Sequence, residues 1–237
     1  IQLLYPDEQG RLWVAIQGFG LAIYQNDTFR IITEKDGLPD NSVWAVASQK
    51  DGKTWIGTEN GVALIDGTKI QRLALGGASQ RASIKAIEVT QDGKVWIAGY
   101  GAGLWVRDGD RTTIYKTEDG LHDLKLTALY EGSKNRLWVG TDGGALHYIE
   151  NGTINTLETP PGLAEQGITS ILEDSSGSLW VGTSGGGIFR YVNNTWDSFS
   201  SAEGLKHPLV PSIYEDREGS IWFGTQGSGL NRFRDSP

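Results

Sequence analysis

The feature that most constrains this chain is a repeat. The stretch from Glu173 to Tyr191, EDSSGSLWVGTSGGGIFRY, can be laid over five other parts of the sequence, and its Trp180 has counterparts at Trp13, Trp55, Trp96, Trp138 and Trp222. The successive intervals are 42, 41, 42, 42 and 42 residues. A unit of that length, punctuated by turn residues, cannot bury its apolar faces alone and does so by stacking on its neighbours, which is how propeller blades are built. The chain of 237 residues is therefore predicted to be all-β: a β-propeller of six visible four-stranded antiparallel blades, the last lacking its outer strand. The repeats run at about 1–42, 43–83, 84–125, 126–167, 168–209 and 210–237, read as a single domain over 1–237.

Each repeat carries the same internal marks. Twelve residues before each Trp stands an aliphatic residue (Val43, Ile84, Leu126, Ile168), and nine before it stands another (Val46, Ile87, Leu129, Ile171). On a regular strand an odd separation places the two on opposite faces, which predicts a first strand buried on both sides. Three before each Trp comes Gly10, Gly52, Gly93, Asn135, Gly177 or Gly219, residues that accept a left-handed backbone, and this marks a tight hairpin. Two after it comes Ala or Gly, so the six ring-bearing residues Trp13, Trp55, Trp96, Trp138, Trp180 and Trp222 are expected to be structural, buried between blades. A second tight turn follows at Asn26-Asp27, Asp66-Gly67, Asp108-Gly109, Asn151-Gly152 and Asn193-Asn194. Turn chemistry accounts for the Asn-x-Thr matches at Asn26, Asn151 and Asn193 without glycosylation.

Between blades runs a longer segment with Gly37-Leu38-Pro39, Gly120-Leu121, Gly162-Leu163 or Gly204-Leu205, replaced by Gly76-Gly77-Ala78 after the second blade. The sixth copy ends on its third strand, Leu230 to Arg234. That leaves either a six-bladed ring that closes imperfectly, the preferred reading, or part of a longer array, with an edge open to self-association.

Composition removes several functions. A net charge of −8 repels a phosphate backbone, so nucleic acid is not expected as a partner. No apolar run reaches the roughly 20 residues needed to span a bilayer, which leaves membrane attachment to a segment outside this chain. Cys is absent, excluding disulfides and thiolate metal sites. Met is absent as well, as expected of a mature product or an excised piece.

The motif running from Glu173-Asp174 through Trp180 and Gly182-Thr183 to Ile188, repeated from Glu215-Asp216 to Leu230, together with Gly37-Leu38-Pro39-Asp40-Asn41, resembles the two-component regulator propeller repeat. The resemblance covers essentially the whole chain and weakens in the first and third blades, where Ala-Ile and Ala-Gly replace Gly-Thr. It implies an extracytoplasmic, periplasmic sensor propeller, often seven-bladed and often paired, coupled through a membrane segment to a histidine kinase or diguanylate cyclase. Oligosaccharides are among the ligands it implies.

The search for chemistry gives no catalytic constellation. His122, His147 and His207 fall in different blades, so no metal site is expected. His147, aligned with Arg190 and Arg232, is expected at the surface. The Glu173-Asp174 and Glu215-Asp216 pairs precede hairpin turns and are read as turn-stabilising rather than as paired glycosidase acids. The GTSGGG loop lacks the Lys and the following helix of a phosphate loop, and no cofactor is expected.

A ligand is expected on the face where the loops vary, which carries Phe19, Glu59, Asn60, Tyr100, Asp142, Ser184 and Gln226 from one loop set. At one inner-strand position Trp44 and Lys85 replace the Thr127 and Thr169 of other blades. The candidate binding residues are Trp44, Arg81, Lys85, Tyr100, His122, Lys125 and His207, a mixture of aromatic and polar groups suited to a small polar ligand such as an oligosaccharide. The leading reading is a non-catalytic ligand-binding sensor propeller. The alternatives are a propeller enzyme, a polysaccharide lyase or hydrolase, and a protein-protein docking scaffold.

Overall fold

Two kinds of tight turn set the strand spacing throughout. In the computed structural model, which describes residues 1–75 and 81–233, Gly10, Gly52, Gly93, Asn135, Gly177 and Gly219 all have positive φ, as the first hairpin requires. The second hairpin has positive φ at both central residues in Asn26-Asp27, Asn151-Gly152 and Asn193-Asn194, the mirror-image turn that matches strand twist. The Gly76-Gly77-Ala78 departure and Arg234 lie outside the described residues.

The result is an all-β propeller of six blades. Contacts divide the chain into two units, Ile1–Lys116 and Thr117–Pro237. The first unit holds three four-stranded meanders, spanning Leu3–Pro6 to Thr28–Ile32, Val43–Ser48 to Lys69–Leu73, and Ser83–Val89 to Arg111–Tyr115. The second holds two, Leu126–Glu131 to Thr153–Leu157 and Ile168–Glu173 to Thr195–Phe199. Its last sheet has three described strands, Ser212–Glu215, Ile221–Thr225 and Gly229–Phe233.

Packing inside each unit follows from which face carries the Trp. Trp13, Ala15 and Leu21 of the first blade meet Val43, Val46, Ile56 and Ala63 of the second. Trp55 and Val62 meet Ile84, Ile87 and Ile97 of the third. A methyl group at Gly57 would collide with the side chain and carbonyl of Ile84, so the small residue after the Trp is where the next blade's first strand leans in. Five of the six blade tryptophans are buried; Trp222, in the three-stranded sheet, is half-buried. Its ring keeps the repeat's contacts nonetheless, with the Arg232 guanidinium 5.5 Å from its centroid and Nε1 donating to Asp216 Oδ2 at 2.7 Å.

The first strand of the second blade is buried on both faces, as expected, with Val43 and Val46 in one core cluster and Ala45 and Ala47 in the other, but a β-bulge replaces the regular alternation that the expectation assumed. Val43 pairs with Thr58 and Ala45 with Gly57, so Trp44 is an inserted residue. The same shift occurs at Lys85, Thr127 and Thr169. One extra residue restores parity: Val43 and Val46 lie opposite Thr58 and Ile56, two apart, and so share a single face.

The inter-blade segments are anchored by their leucines. Leu38, Leu121, Leu163 and Leu205 are all buried. Gly37 and Gly204 end short 3₁₀ turns in the left-handed conformation, with capping boxes from Thr33 and Ser200. The acidic pairs do stabilise turns and do more besides. Asp174 accepts from Ser176 N, Ser178 N and, at 2.7 Å, from Trp180 Nε1. Glu173 reaches back a blade to accept from Ser133 N and Trp138 Nε1.

Candidate ligand-binding site

A bulge re-aims the side chain of its extra residue, and in the first unit the two re-aimed residues converge. Trp44, half-buried, donates its Nε1 proton to Glu59 Oε2 at 2.7 Å. Lys85 places Nζ 3.2 Å from the same oxygen and 3.8 Å from the centroid of the Trp44 ring. The Ser83 hydroxyl donates to it as well, at 3.0 Å, and the Tyr100 ring centroid lies 5.9 Å from the ammonium. Trp44 and Glu59 come from the second blade, Ser83, Lys85 and Tyr100 from the third.

Glu59 is the hub of this arrangement. Burial opposes its ionisation, yet the donors Ser83, Trp44 and Lys85 outweigh it and hold the carboxyl below its usual range. Three donors share Oε2, while Oε1 takes none from the described residues, so a half-exposed carboxylate keeps one oxygen uncommitted beside an aromatic ring fixed by its own indole bond. Sequence reasoning placed Glu59 on the variable face without singling it out. Its signal is weak, since the loop position varies among Gln17, Tyr100, Asp142, Ser184 and Gln226 in the other blades and a carboxylate stands there in the fourth blade as well.

Next to this cluster lies a groove of about 320 Å³ lined by Pro39, Asn60, Gly61, Val62, Arg72, Leu73 and Arg81. Arg81 is thus beside the cluster rather than within it. Arg72 donates through Nε and Nη2 to the carbonyls of Gly37 and Leu38, at 3.3 and 2.6 Å.

The remaining candidates belong to the second unit. Lys125 is exposed, and its carbonyl accepts from Asp142 N. His207 Nδ1 accepts from Leu209 N at 3.2 Å, a local turn contact. His122 is exposed, and its backbone N–H donates to Nε2 of His147 at 3.3 Å. His147 itself is fully buried, which corrects its expected surface placement. Strand pairing aligns His147 with Phe189 and Asn231, opposite Val139, Val181 and Phe223, so the residue matching Arg190 is Tyr148. A slip of one residue exchanges the faces of a strand. Burial and the neighbouring His122 push the His147 imidazole down to about 4, keeping it neutral, with Nδ1 bonded to Thr156 Oγ1 at 2.9 Å. Among the described residues no three His, Asp or Glu side chains cluster as a metal site, and no helix is long and apolar enough to cross a membrane.

The chain shares its β-propeller fold with the extracellular domains of two-component and one-component systems. The two component regulator propeller repeat matches at residues 37–60, 120–143, 162–185 and 204–227. Among solved structures, the extracellular domain of a hybrid two-component system from B. thetaiotaomicron is similar over 98% of this chain and 32% of its own, with TM-score 0.85 and 23% identity. That of a one-component system from the same organism is similar over 100% of this chain and 33% of its own, with TM-score 0.81 and 21% identity. Virginiamycin B lyase from Staphylococcus aureus shares the fold over 97% of this chain and 82% of its own, with TM-score 0.75 and 16% identity. The chain thus spans about a third of the two extracellular domains. Both sensor-type domains and lyases carry this fold, so the fold does not decide activity. No curated protein sequence matches the chain significantly.

Proposed function

We propose that this propeller is a non-catalytic binding module for a saccharide, serving as an input region of a signalling protein outside the cytoplasm. The observation that carries the reading is the Glu59 cluster: an indole locked in place beside a carboxylate with one uncommitted oxygen. Sugars present apolar ring faces and vicinal hydroxyl donors, and this pair offers a stacking surface and an acceptor for them. The similarity to extracellular domains of signalling systems supports the cellular setting. A hydrogen-bond-accepting role rather than that of a general acid fits Glu59, whose carboxyl is held ionised by three donors and is ill-suited to deliver a proton near neutral pH.

Calorimetric titration with neutral and acidic oligosaccharides, with product analysis of every hit, tests this. Trp44→Ala and Lys85→Ala should each weaken binding by about tenfold or more, and no cleavage should accompany it. Cleavage of a bound sugar would replace the reading with an enzymic one. Affinity unchanged in both variants would remove the site.

A further inference from the structure

We infer that the groove beside the Glu59 cluster is a carboxylate subsite, so that the sugar bound on this face is an acidic one; this rests on the saccharide reading above. Two guanidinium groups, Arg72 and Arg81, line the groove, and among the described residues no acidic side chain does. Arg72 is fixed by the Gly37 and Leu38 carbonyls, neutral acceptors that orient the fork without cancelling its charge. Arg81 is exposed and makes no ion pair with a described residue. Asp40, next to the lining residue Pro39, is not itself a lining residue, and its carboxylate is taken up by the Asn60 amide at 2.5 Å and Ser42 N at 2.7 Å.

The charge pattern makes the pair informative. The chain carries a net −8, so its general field repels anions, and a local pair of arginines without carboxylate partners runs against that field. A planar guanidinium matches a carboxylate through two parallel hydrogen bonds, which an ammonium cannot reproduce. At about 320 Å³ the groove is at the small end of ligand sites, room for one acidic sugar residue rather than a chain of them. It adjoins the cluster along the chain: the lining residue Asn60 follows Glu59, and the lining residue Arg81 precedes Ser83 by two residues. One ring resting on Trp44 with its hydroxyls on Glu59 therefore directs the next substituent toward Arg81. In the same cluster Lys85 already neutralises Glu59, so the carboxylate of the ligand meets no net repulsion there.

The probes are D-glucuronate, D-glucose and acetate, followed by the ¹⁵N resonances of the arginine Nε and tryptophan Nε1 groups. Glucuronate should shift Arg72, Arg81 and Trp44 saturably and bind about tenfold more tightly than glucose. Acetate should shift the arginines alone. Arg81→Gln is the variant of choice, because Arg72 also holds the Gly37-Leu38 loop; it should bring glucuronate down to the affinity of glucose while leaving glucose binding unchanged. Glucuronate binding no tighter than glucose, or an advantage that survives Arg81→Gln, overturns the subsite while leaving the saccharide reading intact. Acetate shifts at Arg81 with no sugar response at Trp44 would do the reverse, and no arginine response to either anion overturns the subsite outright.

Discussion

The same backbone irregularity has two uses in the two units. In the second unit the bulge residues are Thr127 and Thr169, whose hydroxyls donate to main-chain carbonyls, Gly140 of the paired strand at 3.2 Å and Val210 of the next blade at 2.7 Å. In the first they are Trp44 and Lys85, whose side chains leave the backbone and meet on Glu59. A bulge whose threonine hydroxyl is spent on a main-chain carbonyl presents nothing. One that carries a long side chain projects it while the strand beneath stays buried, as Val43 and Ile84 do. The loops ahead of the blades differ in the same sense. That before the second blade lies over Ala63 and is held by Arg72 from the groove, whereas that before the fourth is held from inside by buried His147.

The largest expected effect sets core tryptophan against site tryptophan. Trp180 is 1% exposed and packs on Phe199, Phe223 and Phe233, so Trp180→Ala should cost about 3–5 kcal/mol in denaturant unfolding. Trp222→Ala, at a half-buried ring, should cost less, and Trp44→Ala less again. A Trp44→Ala loss equal to that of Trp180→Ala would make Trp44 a core residue and end the comparison.

Acid should next distinguish the second unit. The His147 imidazole is lowered in the fold from 6.5 to about 4, so between those values the unfolded chain binds the extra proton. The stability contributed by neutral His147 is fully present above pH 6.5, is lost as pH falls toward 4, and falls no further below that. Its size is about 3 kcal/mol, from about 1.36 kcal/mol per unit. His147→Phe, the residue at the equivalent Phe189, should flatten that part of the pH-stability curve. A curve as steep as the wild type's would assign the acid sensitivity to other groups.

A smaller effect separates the bulges themselves. Thr169→Val removes the hydroxyl bond to Val210 and should cost about 1 kcal/mol, while Trp44→Thr should stay within about 0.5 kcal/mol. Equal losses in urea titrations would show that the two bulges are energetically alike.

What could be read from sequence followed what repeats. Six tryptophans in register, turn residues that accept a left-handed backbone at a fixed offset, and buried Gly-Leu anchors in four of the inter-blade segments specify the blades, because the same contacts recur from copy to copy. Trp44 and Lys85 stood out as departures at one position, and the structure brings them together with Tyr100. The bulge that aims them was not legible, since counting residues assumes a regular strand and an inserted residue leaves no mark of its own. His147 was misplaced by one residue for a related reason: strand faces alternate, so the smallest alignment slip turns a buried ring into a surface one. Glu59 was hidden by its type, an acid among polar loop residues, and its role depends on groups 15 to 26 residues away in sequence.

The central claim, that the first unit's bulges form the recognition surface, is tested most directly by mapping an oligosaccharide titration on backbone and indole ¹⁵N resonances. Saturable shifts should concentrate at Trp44 Nε1, Glu59, Ser83 and Lys85, with Thr127 and Thr169 unmoved. Shifts confined to Thr127 and Thr169, with Trp44 Nε1 silent at saturation, would contradict it.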